Sequence, residues 1–210
     1  MFSAEAITDA LRELGAATIA ESGGRAMRDR IRAAWPGATV VGPAIPVTCT
    51  PGDNLAIHVA VASAPAGSVL VANVGDIPEL GYWGEVLTTG AMVRGILGLV
   101  IDGGVRDVAA LERLRFPAFS STIALRGATK LRPGVVGSAT TVGGVTVELG
   151  DWVVGDFDGV AIVPGDSIED VIAAGRARAQ QETRYFELLR AGATTVEILE
   201  LDATPIEVTL

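Results

Sequence analysis

Between residues 54 and 123, segments whose apolar side chains recur at helical spacing alternate with short runs that are almost wholly apolar. Apolar residues three or four apart indicate a helix, and a short apolar run bounded by glycine or proline indicates a buried strand. The pattern predicts helices over 54–64, 86–95 and 107–114, and strands over 68–73, 97–101 and 117–123. This order is typical of a parallel sheet with helices packed against it.

The first 50 residues follow a less regular pattern. They predict helices over 3–15 and 27–35, a connection of small residues over 16–25, and one bent strand or a strand pair over 39–50. Because proline cannot donate a hydrogen bond to a sheet, Pro43 and Pro46 favour an edge position or a bulge for the last of these segments.

The last third of the chain predicts antiparallel strands and one long helix. Residues 143–163 contain short Val-rich runs separated by turns, and the Asp158-Gly159 step is a strong signal for a hairpin. Asp166 and Glu169 have the spacing of a capping box, which predicts a long helix followed by an extended acidic tail. We therefore predict one domain over residues 1–210, an α/β core with an added antiparallel β layer.

The charge of the chain restricts its partners. Among 210 residues, 25 Asp and Glu stand against 16 Lys and Arg, a formal net charge of −9. Nucleic-acid binding needs a basic surface, so we expect no nucleic-acid partner. The basic cluster Arg25, Arg28, Arg30 and Arg32 is predicted to lie on an exposed helix face or a subunit contact. The chain has no membrane-length apolar run and no signal-peptide pattern, so we expect a cytoplasmic protein without membrane association.

Single copies of cysteine, histidine and lysine exclude several kinds of active site. Cys49 cannot form an intrachain disulfide, and we expect it in the core. His58 cannot build a multi-histidine zinc site, and any Ser-His-Asp triad would have to use it; we expect a hydrogen-bonded packing residue. Lys130 is the one candidate for a Schiff base. No phosphate-binding glycine loop occurs.

Carboxylates and arginines remain as the candidate chemical groups. Asp107 follows a buried strand and could hold Mg²⁺ or Mn²⁺, and Arg106 beside it could bind a carboxylate or an enolate oxygen through two hydrogen bonds. Glu85 precedes a helix whose first amides, at Val86 and Leu87, could bind an anion. The alternatives are an ordinary helix cap for Asp107, a surface ion pair for Arg106 and a first-turn acid for Glu85.

These residues resemble a known signature. Glu85, twenty intervening residues and Arg106-Asp107 are similar to the acid-x20-Arg-Asp signature of the 4-hydroxy-4-methyl-2-oxoglutarate and 4-carboxy-4-hydroxy-2-oxoadipate aldolases. The same family contains the regulator of ribonuclease activity A. Other family-like blocks follow in order over most of the chain: Pro51-Gly-Asp-Asn-Leu, Tyr82-Trp-Gly-Glu85, Val100-Ile-Asp-Gly-Gly-Val-Arg-Asp107, Gly143-Gly-Val-Thr-Val and Asp158-Gly-Val-Ala-Ile-Val-Pro.

The resemblance implies a swivelling β/β/α fold with a long C-terminal helix, assembled as a homotrimer or a dimer of trimers with sites between subunits. It implies a class II aldolase that uses Mg²⁺ or Mn²⁺ and cleaves a 4-hydroxy-2-oxo acid, such as 4-hydroxy-4-methyl-2-oxoglutarate, to pyruvate and a second carbonyl product. Oxaloacetate decarboxylation is the expected side activity. In this scheme Asp107 would bind the metal, and Arg106 would hold pyruvate and its enolate.

The resemblance also implies roles for residues on either side. Gly84 and the amides of Val86 and Leu87 would bind the substrate carboxylate. Glu85 would hold a water molecule, and Glu182 on the long C-terminal helix would reach the site of the neighbouring subunit. The signature most often begins with Asp, and here the longer Glu85 stands in that position, a change that bears on substrate identity because catalytic placement is sensitive to about 1 Å.

A non-catalytic regulator that binds a ribonuclease is the alternative function. Such regulators typically lack an acid at the position of Glu85, so its presence favours an enzyme. A third possibility is the menaquinone methyltransferase label that some relatives carry, but no nucleotide-binding glycine loop supports it.

Overall fold

The computed structural model describes residues 2–209, and its helices and strands alternate through the middle of the chain. The helices are α1 (Ala4–Glu21), α2 (Leu55–Ser63), α3 (Glu85–Val93), α4 (Val108–Arg113), α5 (Ile168–Arg190) and α6 (Thr195–Ile198). The strands are β1 (Arg25–Ala26), β2 (Arg32–Ala33), β3 (Val40–Cys49), β4 (Val69–Asn73), β5 (Gly81–Trp83), β6 (Gly98–Val105), β7 (Ala118–Ile123), β8 (Gly134–Val136), β9 (Thr140–Val142), β10 (Val145–Val147), β11 (Trp152–Gly155) and β12 (Val160–Val163).

A ten-stranded mixed sheet organises these elements, in the order β1-β12-β11-β3-β4-β6-β7-β2, with β5 paired to β6 and β8 paired to β3. Strands β3, β4, β6 and β7 are parallel, which confirms the prediction from the alternating pattern. Strands β1, β11 and β12 pair antiparallel beside them, and β9 and β10 form a separate hairpin. The carboxyl ends of the parallel strands meet at one edge, where α/β proteins usually bind ligands.

The long strand β3 lies in the interior of the sheet, so the predicted edge position was wrong. Its first residues pair with β11 as far as Pro43, and its last residues pair with β8 from Val47 onward. Both prolines therefore lie where the strand passes from one antiparallel partner to the next. The missing proline N–H costs little at such a transition.

The predicted helix over 3–15 is confirmed as the first part of α1, with Ser3 as its N-cap, but the remainder of the first 35 residues departs from the prediction. Gly15 interrupts α1 with a left-handed φ of 75°, and the helix then continues to Glu21 because Asp156 Oδ2 accepts the Ala16 N–H at 2.7 Å. The segment 27–35 contains no helix. Arg32 and Ala33 form β2 instead, and the Trp35 indole donates a hydrogen bond to the Phe116 carbonyl at 2.9 Å.

The basic cluster consequently lies on no helix, which corrects the prediction of a helix face. Arg25 belongs to β1 and pairs with Asp151 at 3.1 Å. Arg30 lies between β1 and β2, and its Nε donates to Asp102 Oδ1 at 3.0 Å. Two of the four arginines are thus engaged by carboxylates of remote segments.

The C-terminal third confirms the predicted hairpin between β11 and β12 and the long helix, α5. The predicted capping box is wrong: Ser167 occupies the N-cap position without a side-chain cap hydrogen bond, and Glu169 Oε1 accepts the Phe2 N–H at 3.0 Å. The tail is interrupted by the short helix α6, which begins with a capping box formed by Thr194 and Glu197.

Two clusters of buried apolar side chains hold the helices on the sheet. One joins the parallel strands to α2 and α3 and contains Cys49, as predicted. The other joins α1 and α5 to the antiparallel strands. Neighbouring Val153 and Val154 of β11 belong to different clusters, since successive side chains of a strand point to opposite faces. Over the described residues, no helix has the length and apolar character needed to cross a membrane.

Candidate functional site

Buried aromatic residues fix the short strand β5, which leads into α3. Tyr82 and Trp83 are fully buried. The Trp83 ring stacks on Phe116 with 5.5 Å between ring centroids, and its Nε1 donates to Thr88 Oγ1 at 2.7 Å. The Tyr82 hydroxyl donates to the Ile77 carbonyl at 2.5 Å. These contacts determine where the backbone of β5 ends and where α3 begins.

Arg106 and Asp107 follow β6 at the same edge of the sheet. The Arg106 N–H donates to the Trp83 carbonyl at 2.9 Å. Asp107 adopts a left-handed φ of 57°, a conformation that is uncommon for residues other than glycine and that often occurs at functional sites. Its Oδ2 accepts the Glu85 N–H at 3.0 Å and lies 3.8 Å from Arg106 Nε. The fold therefore brings Arg106 and Asp107 together with the backbone of Glu85. The Glu85 side chain pairs with Arg113 and does not line the cavity described below.

The side chain of Asp107 does not cap its own helix. It occupies the N-cap position of α4 without a side-chain cap hydrogen bond there, and its carboxylate is directed to the first amide of α3 instead. The alternative of an ordinary helix cap is therefore wrong.

Glycine at position 84 leaves space for these side chains. A β-carbon there would lie 2.5 Å from Asp107 Oδ2 and 3.1 Å from Arg106 Cγ. A β-carbon at Gly127, on the opposite loop, would lie 3.3 Å from Arg106 Nη1. The Arg106 side chain thus lies between two glycines, and any larger residue at position 84 would displace the Arg106-Asp107 pair.

A cavity of about 150 Å³ opens beside this pair. Its lining includes Gly84, Val86 and Leu87 from the predicted site. Val86 and Leu87 belong to the first turn of α3, so their N–H groups have no acceptor within the helix and are available to an anion. The other lining residues are Asn54, His58, Gly81, Tyr82, Trp83, Arg106, Asp107, Gly127, Ala128 and Lys130.

One wall of the cavity consists of polar residues to which sequence reasoning assigned no role in this site: Asn54, His58 and Lys130. Asn54 Oδ1 and His58 Nε2 are buried and have no hydrogen-bond partner among the described residues, which corrects the expectation of a hydrogen-bonded packing histidine. Burial and the nearby Lys130 charge lower the pKa of His58. The Pro51-Gly-Asp-Asn-Leu block was the one sequence signal that could have indicated this wall.

The buried carboxylate of Asp53 connects the two parts of this wall, the start of α2 and the loop that carries Lys130. Its Oδ2 accepts hydrogen bonds from the Thr129 hydroxyl and the Leu131 N–H, both at 2.6 Å, and from the Arg132 N–H at 3.1 Å. Its Oδ1 accepts the Leu55 N–H at the start of α2 at 2.9 Å. Burial alone would raise the pKa of Asp53, but these hydrogen bonds outweigh it and lower the pKa to about 2.

Residues 5–162 match the family described as RraA-like, Aldolase/RraA. The chain belongs to the RraA-like family. A relative from Halalkalibacterium halodurans, provisionally named a 4-hydroxy-4-methyl-2-oxoglutarate aldolase, is 35% identical over 146 residues, which cover 69% of this chain and 70% of the relative.

Solved structures confirm the RraA-like fold. An uncharacterized protein from Pseudomonas syringae superposes with a TM-score of 0.84 at 27% identity, covering 95% of each chain. Streptomyces coelicolor RraAS2, described as an unusual member of the RNase ES inhibitor RraA family, superposes with a TM-score of 0.76 at 23% identity, covering 88% of this chain and 98% of its own. The family therefore includes proteins named as aldolases and proteins named as inhibitors.

Glu85, the first residue of the signature in this RraA-like chain, forms an ion pair with a residue of α4. The Glu85 carboxylate accepts a hydrogen bond from Arg113 Nη2 of α4 at 2.6 Å and is half exposed. Glu182 lies on α5, where its Oε1 is 2.9 Å from Arg178 Nε. Within one chain the structure does not bring Glu182 into the cavity, so its predicted role in a neighbouring subunit stays a prediction.

The donor set of the site fits a hydrated hard cation. No group of three or more His, Cys, Asp or Glu side chains in residues 2–209 is arranged to hold a metal ion. Mg²⁺ usually keeps several waters and binds through one or two carboxylates, so a complete protein cage is not required. Asp107 offers one carboxylate in a fixed position beside the cavity. This arrangement suits Mg²⁺ or Mn²⁺ better than zinc, which favours four protein ligands in structural sites.

Proposed function

We propose that this chain is a divalent-metal-dependent aldolase that cleaves a 4-hydroxy-2-oxo acid to pyruvate and a second carbonyl product. The observation that carries the proposal is the convergence of Arg106, Asp107 and the first turn of α3 on one cavity. Membership of the RraA-like family, with an aldolase-named relative at 35% identity, supports the same reaction class.

The cavity residues can bind the pyruvyl half of such a substrate, whose carboxylate and keto oxygens all accept hydrogen bonds. The N–H groups of Val86 and Leu87, at the positive end of the α3 dipole, would bind the carboxylate. The Arg106 guanidinium would donate to the keto oxygen, on which negative charge develops during cleavage. Arg106 lies between Gly84 and Gly127, where a side chain at either position would crowd it, so the two glycines leave the guanidinium room to contact the substrate.

Asp107 would hold the cation, Mg²⁺ or Mn²⁺. When bound, the cation would supply Lewis-acid polarisation of the substrate's 2-oxo group. The Asp107 carboxylate already accepts the Glu85 N–H, so it reaches the cavity with its orientation set.

Cleavage requires removal of the proton from the C4 hydroxyl. As that hydroxyl becomes a carbonyl, the C3–C4 bond breaks and its electron pair passes to the pyruvate enolate, which Arg106 stabilises. Protonation of C3 then gives pyruvate. Glu85 is the candidate to hold the water that accepts the hydroxyl proton, and it would have to share its carboxylate with Arg113 or release that pair. Loss of CO₂ from oxaloacetate gives the same enolate, so decarboxylation is the expected side activity.

A pyruvate-release assay tests this proposal. Purified protein with Mg²⁺ should form pyruvate from oxaloacetate and from 4-hydroxy-4-methyl-2-oxoglutarate, and EDTA should stop both reactions until Mg²⁺ is restored. Arg106→Ala should reduce both rates by at least about 100-fold, because it removes a donor to the developing charge. Arg94→Ala, on an exposed residue outside the cavity, is the matched control and should retain activity.

Two results would contradict the proposal. Pyruvate release that persists in EDTA would exclude the metal-dependent mechanism. A wild-type protein without turnover on any 4-hydroxy-2-oxo acid would instead favour the regulator function.

A further inference from the structure

We propose that Asn54 accepts a hydrogen bond from the substrate's C4 hydroxyl group, so that the cavity selects hydroxylated 2-oxo acids. This inference rests on the proposed aldolase function and names the residue that recognises the half of the substrate that becomes the second product. It starts from an acceptor that the fold buries and leaves without a partner.

The orientation of the Asn54 amide is fixed by its other end. Its Nδ2 donates to the Tyr82 carbonyl at 2.7 Å, and the residue is only 4% exposed. The backbone is held as well, because the Asn54 N–H donates to the Thr129 carbonyl at 2.9 Å and the Asn54 carbonyl accepts the Ile57 N–H at 3.1 Å. The side-chain oxygen therefore cannot rotate to another acceptor role without breaking a buried hydrogen bond.

The Asn54 Oδ1 atom has no hydrogen-bond partner among residues 2–209. A buried acceptor without a partner costs about 1–3 kcal/mol, and native proteins rarely retain one without a reason. Asn54 lines the same cavity as Arg106 and Asp107. A ligand or water in that cavity would supply the missing donor.

The chemistry of the wall determines which donor fits. Amide oxygen only accepts, so the ligand must present an O–H or N–H group. A cationic N–H ligand is disfavoured because Lys130 lines the same wall and its charge already contributes to the lowered pKa of His58. A neutral O–H or N–H group remains, and a hydroxyl group is the one that the proposed substrate carries.

The substrate of the proposed reaction carries one such group near its centre. Its carboxylate and keto oxygens match the donors of α3 and Arg106, whereas the C4 hydroxyl is a donor and matches Asn54 Oδ1. Because this hydroxyl must lose its proton during cleavage, a residue that orients it would affect binding and positioning together.

Oxaloacetate provides the discriminating comparison, since it forms the same enolate but carries no C4 hydroxyl. Kinetics of Asn54→Ala and Asn54→Asp would be measured with 4-hydroxy-4-methyl-2-oxoglutarate and with oxaloacetate. In Asn54→Ala the kcat/KM for the hydroxy acid should fall at least about tenfold more than that for oxaloacetate, the loss expected for one buried hydrogen bond. Asn54→Asp keeps an acceptor, so its ratio of the two kcat/KM values should lie closer to that of the wild type.

The outcomes separate this inference from the proposed function. Equal losses on both substrates would show that Asn54 only supports the fold, and no loss on either would show that a water alone occupies the acceptor; both overturn the inference. If wild-type protein releases no pyruvate from either compound, the proposed function itself fails. Retained oxaloacetate activity in a variant demonstrates that the variant is folded.

Discussion

At the scale of single residues, the position of Asp107 is set by its backbone conformation and by its immediate neighbours. Its backbone is left-handed, its Oδ2 accepts the Glu85 N–H, and the absence of a side chain at Gly84 leaves space for the same oxygen. A carboxylate held in this way is preorganised and needs no rearrangement before it acts. Small displacements of Asp107 should therefore reduce activity more than they reduce stability.

Gly84→Ala tests this expectation. The backbone at Gly84 is extended, with φ of −166°, so alanine adopts it without backbone strain. The new methyl group would lie 2.5 Å from Asp107 Oδ2 and force that carboxylate to move. We expect kcat/KM for pyruvate release to fall about 100-fold, since a misplacement near 1 Å has such an effect, and the free energy of unfolding to fall by about 1–3 kcal/mol.

Gly90→Ala is the matched control in the same helix. A β-carbon at Gly90 meets nothing closer than Val61 Cγ1 at 3.7 Å. Because alanine is a better helix former than glycine, this variant should keep its activity and gain about 0.5–1 kcal/mol of stability. Wild-type kinetics in Gly84→Ala would contradict the strict placement of Asp107.

At the scale of elements, local pattern determined most of what could be predicted. The alternation of helices and strands from α2 to β7 was predictable because the spacing of apolar residues within each segment indicates both the type of element and which side is buried. The prediction of a helix over 27–35 was wrong. Ile31 and Trp35 are both buried, but they flank the short edge strand β2, and the Trp35 indole donates a hydrogen bond to the Phe116 carbonyl. The continuation of α1 was missed because its second segment is capped by Asp156, which is remote in sequence.

The residues of the site likewise divide into those indicated by local sequence and those brought together by contacts remote in sequence. Glu85, Arg106 and Asp107 became candidates because each lies where a strand or loop meets a helix, and the resemblance to the aldolase signature supplied the role predicted for each. The polar wall formed by Asn54, His58 and Lys130 could not be predicted in this way. Asn54 and Lys130 are brought together by hydrogen bonds from a later loop to Asp53, and the bonded residues lie 76–79 positions after Asp53 in the sequence. The spacing of apolar residues along the chain cannot predict that a buried carboxylate joins two segments remote in sequence.

The link made by Asp53 predicts a pH dependence of stability. Its pKa is lowered to about 2 in the folded protein from an ordinary value of 3.8. The stabilisation is therefore fully present above about pH 4 and is lost as the pH falls toward 2, and it amounts to about 2 kcal/mol. Asp53→Asn should be less stable than the wild type at pH 6, and this difference should shrink between pH 4 and pH 2. Urea unfolding at several pH values measures it.

An exposed acid provides the comparison for Asp53. Asp9 lies on α1 and pairs with Arg12 at the surface. Asp9→Asn should change the free energy of unfolding by less than about 1 kcal/mol, as exposed ion pairs usually do. A difference between wild type and Asp53→Asn that stays constant from pH 6 to pH 2 would refute the role of the ionised carboxylate.

At the scale of the whole molecule, one chain leaves the surroundings of the cavity uncovered. Val86, Leu125 and Leu131 are exposed by 82%, 87% and 86%. Val86 lines the cavity, and Leu131 follows Lys130. Large apolar side chains that are exposed near a site favour a protein contact there. The homotrimer or dimer of trimers with sites between subunits stays a prediction, and light scattering of the purified protein would measure the number of subunits.

If the sites lie between subunits, Glu182 should act on the neighbouring chain, and mixed oligomers test this directly. Arg106→Ala and Glu182→Ala should each be inactive alone. Subunits of both variants assembled at random would restore up to about a quarter of the sites, because each restored site takes Arg106 and Glu182 from different chains. Mixing Arg106→Ala with Asp107→Ala is the control and should restore nothing, since both residues come from one chain. Full activity of Glu182→Ala alone, or no recovery on mixing it with Arg106→Ala, would refute the cross-subunit role.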